Sequence, residues 1–169
     1  MSMRNVSLTI VVLLAVCAIP APAQDKLGDL LYQGGYEWIL GKWAATTDEG
    51  NQIELEYKWG LDKHVILVDF KMGDFKLHGM IMYAASKEEI TQVSADNKGG
   101  IWKGTWRDDY GEAVNRMEGT QADGETMKAE LVHSKVDADT MKVVMYGVDD
   151  DGYRASEAWG TLNYKRQKK

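Results

Sequence analysis

The residues best suited to acid–base or metal chemistry are three histidines, His64, His78 and His133. None lies at H-x-H or H-x-x-x-H spacing, so no two of them can hold a metal from one strand or one helix face. His133 shares a strand face with Met127 and Leu131, which points it inward near a rim. An inward histidine is placed to be an axial haem ligand, and a lone polar residue at a strand end is the plainer alternative. His64 begins a strand beside Lys63 and reads as exposed, while His78 is not assigned to a face. Cys17 is the only cysteine and sits in an N-terminal apolar run, so the rest of the chain has no disulfide and no thiolate nucleophile or ligand. "DDDGYRASEAW" at 149–159 has acidic clustering, but Ala158 stands where a calcium loop needs its glutamate, so it reads as a solvated hairpin. No G-x-S-x-G elbow occurs. Asn115 shares a face with Met117, and Glu157 with Trp159. These are candidate interior polar groups, able to orient a ligand or to serve as an acid–base pair. No nucleophile is paired with a base, which argues against an enzyme; His133 or Glu157 would be the base if there were one.

The elements that would position these groups begin after a leader. Arg4 precedes an apolar run over 6–19, Pro20 follows, and "APA" at 21–23 supplies the small residues that a signal peptidase reads. The pattern predicts a bacterial-type signal peptide over 1–23, a periplasmic or secreted protein, and one domain over 24–169 with no integral membrane segment after cleavage. An uncleaved anchor is the alternative; a lipoprotein cut at Cys17 is disfavoured by bulky Val16. Lys and Arg number 20 against 26 Asp and Glu, a net charge of −6, and no basic patch precedes the terminal "YKRQKK". Nucleic acid is therefore not an expected partner. The oligomeric state is not legible.

Beyond the leader the chain contains no proline. Only 26–33 and 36–40 read as helical. From there the hydrophobic period is two, over candidate strands 42–47, 52–60, 64–72, 74–84, 89–95, 100–108, 112–120, 125–134, 140–148 and 153–165. Asp, Asn and Gly punctuate the gaps, as in "DEGN" 48–51 and "DYGE" 109–112. No gap is long enough for a helical crossover, so neighbours must be antiparallel. About ten strands in sequence, with edges to be removed, predict an all-β, up-and-down antiparallel barrel with a short N-terminal helical turn. A two-layer sandwich is the alternative. Alternation turns Trp59, Trp102, Trp106, Met117, Met127, Leu131, Met145 and Trp159 inward, with His133 beside them. Such a Met- and Trp-rich set either fills a solid core or lines a pocket for a small apolar molecule.

One stretch carries a resemblance. "YEWILGKW" at 36–43 places Trp38, Gly41 and Trp43 as W-x-x-G-x-W; Lys58-Trp59 and Tyr164-Lys165-Arg166 follow in later strands. This layout resembles the lipocalin-like (calycin) barrels, and in particular small bacterial secreted domains of unknown function with that fold. The resemblance implies that Gly41 lets the chain bend into the first strand, that Trp43 closes one end of the barrel, and that Arg166 or Lys165 lies across Trp43. It further implies a small apolar or amphipathic ligand in the interior. The ten-stranded haem-binding barrels are a related likeness, with His133 as the ligand.

Overall fold

The computed structural model describes residues 26–168, so the leader assigned to 1–23 lies outside the described residues. The chain opens with helix α1 (Leu27–Gly34) and a 3-10 turn (Glu37–Ile39). Ten strands follow: β1 (Gly41–Thr46), β2 (Gln52–Gly60), β3 (Val65–Met72), β4 (Phe75–Ala84), β5 (Glu89–Asp96), β6 (Ile101–Asp109), β7 (Glu112–Thr120), β8 (Thr126–Lys135), β9 (Thr140–Val148) and β10 (Arg154–Arg166). Each pairs antiparallel with its sequence neighbours, and β10 returns to β1 to close a barrel. The expected meander is present, with strand limits within one residue of those read from the alternation. No helix among the described residues is long and apolar enough to cross a membrane.

Helix α1 has little intrinsic reason to persist at eight residues. Leu27 and Leu31, one turn apart, bury against the barrel's first core layer with Ile39, Ile66, Ile81, Met141 and Val143. The helix stops because Gly35 turns left-handed (φ 71°), and the Tyr36 amide then donates to the Leu31 carbonyl at 2.8 Å. The helical turns thus stopper one end, called here the helix end. The other end carries only hairpin turns.

Pairing rows fix which face is inside. Trp43 lies opposite Leu55, Leu55 opposite Phe70, and Phe70 opposite Leu77. A second row runs Ile90, Trp106, Asn115, Leu131 and Met145. These residues face inward. The alternate row of Lys58, Glu56, Asp69 and His78 faces out and is knit by Lys58 to Asp69 at 2.8 Å and His78 to Asp69 at 2.6 Å. The seam between β1 and β10 is the shortest pairing, only Trp43 with Arg166 and Ala44 with Lys165. Strand β10 is also bulged on both sides of Ala158, so that Trp159 is an extra residue between two register positions.

Candidate functional site

The interior divides into two halves. At the helix end Trp43 is 2% exposed and donates its indole N–H to the Ile39 carbonyl at 2.8 Å. The Arg166 guanidinium stacks 4.1 Å above the Trp43 ring and donates to the carbonyls of Leu40 (2.7 Å), Trp38 (2.8 Å) and Ala138 (3.1 Å). Gly41 makes room for it: its φ is +120°, and a Cβ there would stand 2.6 Å from Arg166 Nη1. Arg166 Nε also lies 3.7 Å from the Asp139 carboxylate, so the guanidinium's charge is met at the closure. Tyr57 and Tyr164 lie below, and burial raises both phenols well above their ordinary range.

His133 and Trp106 also belong to this half. Their rings are 4.9 Å apart, and Tyr57 meets Trp106 edge-on at 6.3 Å. His133 is buried and its Nδ1 lies 3.1 Å from the Ala113 carbonyl. Burial pushes its pKa down to about 4, against the pull of the Ala113 and Leu131 carbonyls. The ring is neutral at physiological pH. Trp59 packs half-buried against the same core, and Leu131 and Met145 against its lower layer. A small apolar cavity of about 60 Å³ remains between Leu31, Ile39, Ile66, Ile81, Ile90 and Trp106.

Toward the hairpin end the wall is built differently. Trp102, Met117 and Trp159 lie against glycines, and Met127 pairs opposite Gly119. The indole of Trp102 covers Gly119, that of Trp159 covers Gly147, and Met117 covers Gly104; a Cβ on any of the three would meet the covering side chain at 2.4, 2.6 and 3.0 Å respectively. The missing side chains let large groups lie flat along the wall. Trp159 stays 58% exposed and Met127 37%. Asp96, on the same inner face at the rim, accepts from Trp102 Nε1 at 2.9 Å and from the amides of Lys98 and Gly100. The Trp102 bond is the main cause that holds its carboxyl below the usual range.

Between the halves lies a buried polar group that the strand alternation alone misses, apart from Asn115. Trp106 Nε1 donates to Gln92 Oε1 (2.9 Å), Asn115 Nδ2 donates to the same oxygen (3.0 Å), and Gln92 Nε2 donates to Ser94 Oγ (3.1 Å). Asn115 is 1% exposed, and its Oδ1 has no partner. Glu157, the other interior candidate, is exposed. A second unforeseen group is Glu130. Its outward side chain is buried under Arg107 (3.1 Å), Arg116 (2.7 Å) and Arg154 (3.3 Å). Burial alone would raise its pKa; Arg107 and Arg116 overcome that and hold it low. Among the described residues, no three metal-binding side chains come together.

The structure thus brings Trp102, Met117, Met127 and Trp159 to the hairpin half, puts Met145 and Leu131 at the middle, and puts Trp59, Trp106 and His133 at the helix half. No protein-family model matches the chain, and no curated protein matches it.

Proposed function

We propose that the chain is an exported lipocalin-like barrel, periplasmic or secreted, that binds a small apolar or amphipathic molecule inside its hairpin half. The observation that carries this reading is the wall of Trp102, Met117 and Trp159 laid over inward glycines, with Met127 paired opposite Gly119 and Trp159 left 58% exposed. A wall of flat rings and flexible thioethers accepts varied apolar shapes. A second reading, a solid barrel that meets a protein partner, is favoured by two hollows on the barrel wall. These are about 890 and 620 Å³ and are bordered by outward charged side chains such as Glu56, Lys71, Lys103 and Glu118.

Native mass spectrometry of the chain purified from its own host, followed by denaturing extraction, separates the two. A co-purifying small molecule, displaced by apolar probes with a change in Trp emission, supports the carrier. An apo mass together with emission unmoved by fatty alcohols, fatty acids or haem overturns it in favour of the solid barrel.

A further inference from the structure

The outer wall gathers positive charge that its one buried carboxylate does not balance. Arg107, Arg116 and Arg154 all converge on Glu130, whose side chain is 1% exposed. This excess stands out in a chain whose net charge is −6. The next acid, Asp109, is 3.7 Å from Arg107 Nη2, too far for a hydrogen bond. Glu112 accepts from the Ser134 hydroxyl at 2.6 Å. Guanidiniums crowded around one carboxylate repel one another, and Arg116 alone already gives Glu130 two hydrogen bonds.

The donors divide unequally. Arg116 is fully used: its Nε (3.1 Å) and Nη2 (2.7 Å) donate to Glu130 Oε2, and its Nη1 donates to the Gly152 carbonyl (3.0 Å). Arg107 and Arg154 each give Glu130 one nitrogen, to Oε2 and Oε1 respectively. Their other guanidinium nitrogens donate to no acceptor among the described residues. Arg154 is steadied by the Tyr146 ring, 4.6 Å from its guanidinium carbon. The two side chains are 44% and 43% exposed, so their free edges meet solvent. Covering buried Val114, which pairs opposite Arg107, would take only the arginine's stem and leaves its fork uncommitted. Two guanidiniums that share one carboxylate stand close enough to share a second oxyanion on the solvent side.

The surroundings limit what else that anion can carry. The adjoining hollow of about 620 Å³ begins at Arg116 and Gly152, and its basic side chains are matched by Glu89, Glu118, Asp149 and Asp150. A ligand running into it meets no further excess of positive charge, so its own charge is gathered in one group.

We infer that Arg107 and Arg154 form an oxyanion site on the outer wall, and that the site takes a terminal phosphate monoester. Such a group carries about two negative charges near neutral pH and several acceptor oxygens, which suits two free forks. The site lies outside the barrel and is independent of what the interior binds.

Titration calorimetry near neutral pH and at matched ionic strength compares inorganic phosphate, phenyl phosphate and acetate on the folded chain. Both phosphates are expected to bind in the millimolar range or tighter, and acetate about tenfold more weakly, the worth of one charge-assisted hydrogen bond. Arg154→Gln should weaken phosphate about tenfold, and Lys103→Gln, in the adjoining hollow, by less than about twofold. No binding of phosphate, acetate binding as tightly as phosphate, or phosphate affinity that Arg154→Gln leaves unchanged overturns the inference. Should Arg154→Gln fail to fold, Arg107→Lys keeps the charge and loses the fork, and unchanged phosphate affinity there overturns it equally. Flotation with phosphatidylcholine vesicles carrying phosphatidic acid or phosphatidylglycerol assigns the source of the phosphate. Capture by phosphatidic acid alone, lost in Arg154→Gln, identifies a lipid headgroup, and phosphate binding without capture identifies a free ester. Equal capture by the diester lipid means generic charge and overturns the monoester site.

Discussion

The two ends of the barrel spend large aromatic side chains in opposite ways. At the helix end, Trp43 is sealed between Arg166 and the first core layer, and its one polar atom is paired. At the hairpin end, Trp159 lies on a strand bulge over a glycine and keeps more than half its surface in water. Polar groups divide the same way. Arg166 finds three carbonyls, whereas Asn115, at the border of the two halves, keeps an unpaired oxygen. The difference teaches that stability and recognition occupy separate lengths of the same strands. One end is built to remain shut, and the other leaves apolar area and an acceptor uncommitted.

Substitutions test this division, and the largest effect is expected at Trp43. Trp43→Ala empties the stopper and should cost about 3–5 kcal/mol in urea unfolding. A cost below ~1 kcal/mol would mean the helix end is not the stable one. Next in size is acid. The His133 ring refuses a proton until about pH 4, whereas an unfolded chain takes one near 6.5. The unfolded state therefore binds more protons across that window, so stability is full above about pH 6.5 and falls as pH drops toward 4. The loss attributable to His133 is about 3 kcal/mol. His133→Gln should flatten the urea midpoint across the same window.

Glu130→Gln comes third. It leaves Arg116 and Arg154 without their counter-charge and Arg107 with Asp109 alone, 3.7 Å away. The cost should be about 1–2 kcal/mol, below that of a fully buried broken pair because the guanidiniums reach solvent, and added salt should recover part of it. The smallest effect on stability belongs to Trp159→Ala, under ~1 kcal/mol. The same change should weaken binding of an apolar probe several-fold. A Trp159 variant that unfolds easily but binds normally would reverse the contrast between the ends.

Much of this is legible in the sequence. Period-two runs separated by Asp, Asn and Gly give the strands, because a half-buried ladder requires that alternation. Trp43, Gly41 and Arg166 were legible as a closure because large, small and basic residues recur in a known order. Strand β5 resisted. Gln92 and Ser94 are buried while Val93 is 43% exposed, the reverse of what hydrophobicity suggests. Its face is set across the sheet, where Ile90 sits opposite Trp106, and not by its own composition. Glu130 resisted for a related reason. Its three arginines come from β6, β7 and β10, so nothing near it in sequence announces its burial. Trp159 is turned inward by the alternation, but the bulge that makes it an extra residue between two register positions is not legible from a strict period of two.

The seam held by two residue pairs has a consequence for assembly in time. Strand β1 is the first made and its partner β10 the last, so every other strand is synthesised before the ring can join. Until Arg166 arrives, Trp43 lacks its cover and β1 presents an unpaired edge. The barrel's slowest and most exposed moment is therefore its final one, and a single arginine acts as the clasp that ends it.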